Sequence, residues 1–196
     1  DGATVCIQTG TTTELNLADF FRLNGISYEA LPIETNDEGK ENLFAGRCDV
    51  YTTDASGLSS TRAAAADPSK WLVLPEIISK EPLGPLVRHG DHQWGDVVRW
   101  SLNAMIIAEE LGITSENVDA SLSSNVPEVL RLLGVEGSYG EMLELAPDWA
   151  YQILKQIGNY SESYEANVGP DTPLEIARGL NALWTQGGIL YAPPFR

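Results

Sequence analysis

The sequence predicts an α/β fold: a parallel-rich sheet flanked by helices over residues 1–83, followed by a mostly helical half over residues 84–196. Three observations carry that expectation. Short apolar runs alternate with longer segments of helical period through the first eighty residues, and such alternation favours parallel strands joined by crossover helices on both faces. Beyond residue 80 the strand-like runs nearly vanish and amphipathic helical stretches take over. The apolar share of the 196 residues is 43%, close to the globular average and sufficient for a packed core.

Each element follows from its residues. Thr4–Gln8 is a compact apolar run ending at Thr9-Gly10, as a buried strand does. Leu15, Leu17, Phe20, Phe21 and Leu23 recur at helical spacing, and Asn24-Gly25 stops that helix. Tyr28–Ile33 reads as the second strand, residues 36–46 as a short helix closing at Gly46, and Cys48–Thr53 as the third strand. The small residues Ser59–Ala66 form a helix ended by Asp67-Pro68, and Trp71–Pro75 reads as a fourth strand. Leu86-Val87 is a brief strand within a Gly/Pro-rich stretch. Trp94, Val97, Val98, Ser101, Ala104, Met105, Ala108 and Leu111 then define one face of a long helix ended by Gly112. Further helices are expected near 126–133, 147–157 and 173–187.

Charge and composition exclude several functions. With 28 acidic residues against 12 Lys and Arg, the formal charge of −16 repels a polyanion, so no nucleic-acid partner is expected. No apolar run approaches the ~18 residues of a membrane span. Two cysteines are too few for a disulfide framework and lack the paired spacing of a zinc site; no metal and no cofactor is expected. The chain opens Asp-Gly-Ala, without methionine or signal peptide, and reads as a processed or cropped piece of something longer.

Two places carry chemistry. Thr11-Thr12-Thr13-Glu14 follows a strand and opens a helix, which is the Thr-x-x-Glu pattern of a capping box. The same turn can bind an anion, because N–H groups and the positive end of the helix dipole face the carboxyl edge of the sheet, and Gly10 lets a ligand approach the backbone. Asp54 ends the third strand on that edge. It reads either as the N-cap of the following Ala55-Ser56-Gly57 turn or as the counter-ion of a ligand ammonium. A helix N-terminus and a carboxylate on one edge suit a zwitterion, and ligands of open α/β sheets sit there. Cys6 and Cys48 lie on strands expected to be neighbours. They are either two small buried hydrophobes or, in an oxidising compartment, a disulfide contributing roughly 4 kcal/mol in the chain-entropy model. His89 and His92 read as surface histidines, Glu109-Glu110 and Glu141/Glu144 as solvated helix faces, and Gly187-Gly188 as a helix C-cap. No P-loop, dinucleotide fingerprint or nucleophile elbow is present.

Several segments together resemble one family. Gln8–Glu14, Gly46–Asp54, Ile77–Pro85, Ala108–Ile113, Arg178–Trp184 and Tyr191–Pro194 are similar to the general L-amino-acid periplasmic binding proteins of bacterial ABC transporters, and the resemblance covers essentially the whole chain. It implies a periplasmic-binding-protein-like fold: a two-lobe, hinge-closing receptor that delivers polar amino acids to an inner-membrane permease. In that family the Gly-Thr-Thr turn holds the ligand α-carboxylate, which maps to Gly10, Thr11 and Thr12, with Thr13 able to line the pocket. The aspartate after the third strand binds the α-amino group and maps to Asp54. Family members are longer, so residues 1–83 correspond to the complete second lobe. Residues 84–196 correspond to the returning part of the first lobe plus a C-terminal helical extension. The arginine and aromatic wall of the first lobe fall outside the chain. The Leu86-Val87 strand would then lack partners, an edge that invites self-association. Competing readings are an enzyme on the same scaffold, such as a dehydratase of a carboxylated ring substrate, and an effector-sensing domain of the same fold.

Overall fold

The computed structural model describes residues 2–80 and 82–196; Asp1 and Glu81, the latter inside one of the family-like segments, lie outside the described residues. The chain divides into two compact units. One runs to Leu83 and includes Pro173–Ile176; the other comprises Gly84–Thr172 and Ala177–Arg196.

The first unit is built on β1 (Ala3–Gln8). Its residues alternate between two apolar faces. Val5 and Ile7 meet Leu17 and Phe21 of α1 (Thr12–Asn24), while Cys6 faces the cluster of Ile33, Cys48 and Tyr51. β2 (Tyr28–Ile33) pairs with β1 in parallel along its whole length, from Ala3 opposite Tyr28 to Gln8 opposite Ile33. α2 (Asn36–Phe44) then carries the chain past β1, so that β3 (Val50–Tyr51) pairs on the other side, Val5 opposite Val50 and Cys6 opposite Tyr51. α3 (Ala55–Ala63) follows. The sheet order is β2-β1-β3. Leu43 of α2 and Leu58 of α3 pack on the Cys6 face, opposite α1, so helices cover both faces. The expected α/β pattern is present.

The third strand is shorter than Cys48–Thr53. Carried back along the register, Cys48 would lie three positions off Cys6, about 11 Å away given ~3.3 Å per residue and ~4.8 Å between strands. Cys6 and Cys48 instead form a disulfide with their Cα atoms 5.8 Å apart. The chain therefore bends at Cys48 toward Cys6, and the ladder begins only at Val50. The Asp49 N–H donates to the Thr4 carbonyl at 2.8 Å, while the Asp49 carboxylate accepts from the Thr4 N–H at 2.8 Å.

Two expected strands are absent. Trp71–Pro75 follows a short 3-10 turn (Pro68–Lys70) without entering a ladder, and Leu86-Val87 lies outside any strand with Leu86 98% exposed. A strand needs a partner's hydrogen bonds, and a two-residue β3 is too short an edge to template a fourth. Trp71 instead stacks on Phe44, with ring centroids 5.0 Å apart. Pro173–Ile176 joins the first unit through Arg62, whose guanidinium donates to the Glu175 carboxylate at 2.8 Å and the Leu174 carbonyl at 3.3 Å.

The second unit centres on α4 (His92–Glu110), which buries Ala104, Ile106, Ile107 and Ala108. The expected face is displaced: Ile106 and Ile107 are core, and Trp94 is exposed. Around α4 lie α5 (Val118–Ser121), α6 (Pro127–Leu132), α7 (Tyr139–Met142), α8 (Trp149–Ile157) and α9 (Tyr160–Asn167). α5, α7 and α9 were not expected; the first and second are single turns, and α9 is polar along its length apart from its tyrosines. The helix expected over 173–187 is replaced by 3-10 turns at Gly179–Asn181 and Trp184–Gln186. There the chain folds back on itself, Gly188 N–H donating to Leu183 and Trp184 N–H to Leu190, and Gly188 lies against the Ala182 carbonyl with no room for a Cβ. Glu109 is not solvated. Arg178 donates to both of its oxygens at 3.1 Å while lying over the rings of Tyr160 and Tyr164. Phe195 closes the core against Trp100, Tyr139 and Trp149.

Gly39 in α2 tests the sheet–helix packing. A Cβ there would sit 2.6 Å from Ile33 Cδ1 and 2.7 Å from Tyr51 Cε2. Alanine gains about 1 kcal/mol of helix propensity, but overpacking costs roughly 1–3 kcal/mol. Gly39→Ala is expected to lower stability by about 1 kcal/mol in urea unfolding; an increase would show that α2 has slack against the sheet.

Candidate functional site

The sheet order locates the site. The chain leaves β1 toward β2 on one side and returns through α2 to β3 on the other, so the carboxyl ends of β1 and β3 flank the point where strand order reverses. Open α/β sheets bind their ligands in that crevice. Gly10–Thr13 follows β1 and Asp54 follows β3. Extending the register beyond the Cys6–Tyr51 pair sets Asp54 level with Thr9. The structure thus brings the two expected positions to neighbouring strand ends.

At the first, Gly10 adopts φ +72°, a conformation that admits glycine with little strain. Thr11 is the N-cap of α1: its hydroxyl donates to the Gln8 carbonyl at 2.8 Å and accepts from the Glu14 N–H at 3.3 Å. The Glu14 carboxylate reaches back to the Gly10 N–H at 2.8 Å, one residue earlier than a standard capping box. The capping reading is therefore realised, and Glu14 already holds one donor of the turn. Thr12 is exposed and Thr13 half-buried.

At the second, Asp54 is half-buried and N-caps α3. Its Oδ1 accepts from the Gly57 N–H at 2.9 Å and from the Ser56 hydroxyl. Burial works to raise its pKa, but the hydrogen bonds from the Ser56 hydroxyl and the Gly57 and Ser56 amides outweigh it and hold the carboxyl below the ordinary aspartate range. Ser56 and Gly57 were not singled out from the sequence as site residues. A Cβ at Gly57 would fall 2.9 Å from Thr53 Cγ2 and 3.1 Å from Asp54 Oδ2, so a small residue is needed beside the carboxylate. The signal was present in Asp54-Ala55-Ser56-Gly57, a capping pattern whose third and fourth residues supply the donors.

The remaining positions carry no such geometry. His89 and His92 are exposed, and among the described residues no group of three or more His, Cys, Asp or Glu could hold a metal. Among the same residues no helix is long and apolar enough to cross a membrane.

The cap and the charge of Asp54 separate by substitution. Asn caps a helix about as well as Asp, whereas Ala costs about 1 kcal/mol. Asp54→Asn is therefore expected to unfold in urea close to wild type at pH 7, and Asp54→Ala about 1 kcal/mol earlier. Because the folded-state pKa is lowered, the carboxylate's contribution is full above the unfolded value of ~3.9 and is lost as pH falls through the folded value. The gap between wild type and Asp54→Ala should shrink below about pH 4; a gap constant down to pH 2 would show that ionisation is irrelevant to the cap.

Comparison with known proteins places the chain. No family model matches it. It is 55% identical over 197 residues to the glutamate/glutamine/aspartate/asparagine-binding protein BztA of Rhodobacter capsulatus, and 54% identical over 197 residues to the general L-amino acid-binding periplasmic protein AapJ of Rhizobium johnstonii. Each match covers 100% of this chain and 58% of the relative, so the chain spans less than two thirds of the length of the curated relatives it matches. Among solved structures, an ABC transporter periplasmic binding protein from Brucella ovis with glutathione bound superposes with a TM-score of 0.94 at 50% identity, covering 100% of this chain and 62% of that one. The chain is related along its whole length to the periplasmic amino-acid-binding proteins of ABC transporters and shares their fold.

Proposed function

We propose that the protein carrying this chain is a periplasmic solute receptor that reversibly binds L-amino acids and presents them to an inner-membrane ABC permease. The observation that carries the reading is the pairing, at one switch point, of a helix N-terminus after β1 with an ionised aspartate after β3, on a chain related throughout to amino-acid-binding proteins. The ligand carboxylate would meet the Gly10–Thr13 turn and its ammonium Asp54. The names of the relatives support this chemistry: BztA is named for four amino acids, and glutathione, bound in the Brucella structure, carries a free α-ammonium and α-carboxylate on its glutamyl end. Closure of two lobes around the zwitterion would exclude water and create the form the permease reads. A periplasmic site also accords with the Cys6–Cys48 disulfide, since that compartment is oxidising.

Binding without chemistry fits the site better than an enzyme does. A general acid or base at neutral pH needs a pKa moved toward 7, and that of Asp54 moves the other way. Calorimetry of the protein as encoded, with glutamate, glutamine, aspartate and asparagine in turn, tests the reading. Loss of one charge-assisted contact is worth about 1.5–3 kcal/mol, so Asp54→Asn should bind roughly 10- to 100-fold more weakly. Unchanged affinity would assign the ammonium to another group, and any turnover of the ligand would overturn the receptor reading.

We also propose that this chain on its own self-associates through its unpaired Leu86-Val87 segment, whose two side chains are exposed. Sedimentation should show dimers or larger species that dissociate in Leu86→Glu/Val87→Glu; a monomer at high concentration overturns this.

A further inference from the structure

We propose that the Cys6–Cys48 disulfide is a positioning element of the ligand crevice: it fixes the register of β3 against β1 and thereby the place of Asp54 relative to the Gly10–Thr13 turn. The proposal rests on the ligand reading given above and adds to it a device that the resemblance does not supply.

The strands differ sharply in how they are held. β1 and β2 share a six-residue register, whereas β1 and β3 share two pairs. Beyond those pairs, β3 is held by the Asp49 N–H to Thr4, the Thr52 N–H to Cys6 at 3.3 Å, and the Asp49 carboxylate on the Thr4 N–H. A two-residue ladder contributes few bonds to the register, which is left to the side chains that β3 buries, Tyr51 above all, and to the covalent link at Cys48. A slip of one residue would carry Asp54 along the strand by ~3.3 Å, about the length of a whole hydrogen bond, and would turn successive side chains to the opposite face. The ammonium would then lose its counter-ion although the sheet remained paired.

The disulfide forbids that slip. It joins the middle of β1 to the residue at which the chain bends into β3, and both cysteines are buried in one cluster with Ile33 and Tyr51. Their Cα separation of 5.8 Å sits inside the 4.4–6.8 Å that a disulfide tolerates. Displacing Cys48 by one residue would leave that range or drag β3 back. Gly10 follows Cys6 by four positions and Asp54 follows Cys48 by six, so the bond ties together the short stretches of chain that lead to both halves of the crevice.

Calorimetry with glutamate on the protein as encoded distinguishes positioning from bulk stability. In Cys6→Ala/Cys48→Ala, and in the better-filled Cys6→Val/Cys48→Ala, we expect the dissociation constant to rise at least ~10-fold with stoichiometry near one, well below the melting temperature. Phe21→Ala, which removes an edge-to-face contact with Tyr28 on the opposite face, should lose melting temperature comparably yet keep the dissociation constant within about twofold. A role in stability alone would lower stoichiometry and leave the dissociation constant unchanged, and that result overturns the proposal. So does complete unfolding of both cysteine-free variants, because the bond then holds the whole unit rather than the crevice. Asp54→Asn, measured alongside, separates the two readings: wild-type affinity there removes the site itself, whereas weakened binding there with unchanged affinity in the cysteine-free variants removes the positioning role alone.

Discussion

The architecture of the first unit depends on β1 being buried on both faces and paired on both edges. A strand in that position must read as a near-continuous apolar run, and Thr4-Val5-Cys6-Ile7 does. Two apolar faces require helices above and below, and two occupied edges require the chain to cross β1 between β2 and β3. The crossing is what creates a switch point, and the switch point is what leaves the ends of β1 and β3 open to a ligand. The location of the crevice thus follows from the burial of three residues near the start of the chain, Val5, Cys6 and Ile7.

At the crevice, the observed structural roles and the proposed binding roles fall on the same atoms. Thr11 and Asp54 are both N-caps with their side chains already engaged, and Glu14 holds the Gly10 N–H. Capping does not remove the negative charge of Asp54. It stabilises the ionised form, so the bonds that begin α3 would also serve the proposed counter-ion. The carboxylate of Glu14 works the other way, because an incoming anion would share or displace its hold on Gly10. One pole of the proposed site thus carries an ionised, hydrogen-bonded carboxylate, and at the other an internal carboxylate holds Gly10.

Much of this was legible in the sequence because it is local. Apolar alternation placed β1, β2 and the first two helices, and Thr-x-x-Glu marked where α1 begins; the helix expected over Ser59–Ala66 instead runs Ala55–Ala63, because Asp54 caps it four residues earlier. What failed depends on partners. Trp71–Pro75 has the composition of a strand, but a strand exists only with a ladder, and β3 offers two residues. Gly188 reads as a C-cap by type; its packing against Ala182, visible only in three dimensions, turns the supposed helix into a fold-back. Glu109 looked solvated because Arg178, sixty-nine residues away, is invisible to local pattern. The truncation of β3 needed the bend at Cys48, a consequence of tertiary contact with Cys6.

If the proposed site holds a zwitterion, the distribution of charge on this unit would favour one end of it over the other. The unit's arginines at 22, 47 and 62 and its lysines at 40 and 70 are engaged with Asp19, Asn42, Glu175, Asp37 and Asp67, and Lys80 is exposed. On the proposed reading the ligand carboxylate would meet the amides and dipole of α1, and a helix N-terminus at a surface is worth about 0.3–1 kcal/mol. A hydrogen bond between ammonium and carboxylate is worth about 1.5–3 kcal/mol. On the proposed reading the ammonium contact would dominate on this unit, and a firm hold on the ligand carboxylate would need a cationic group as well. A receptor divided in this way would gain most of its affinity when both contributions meet, which would couple ligand capture to closure.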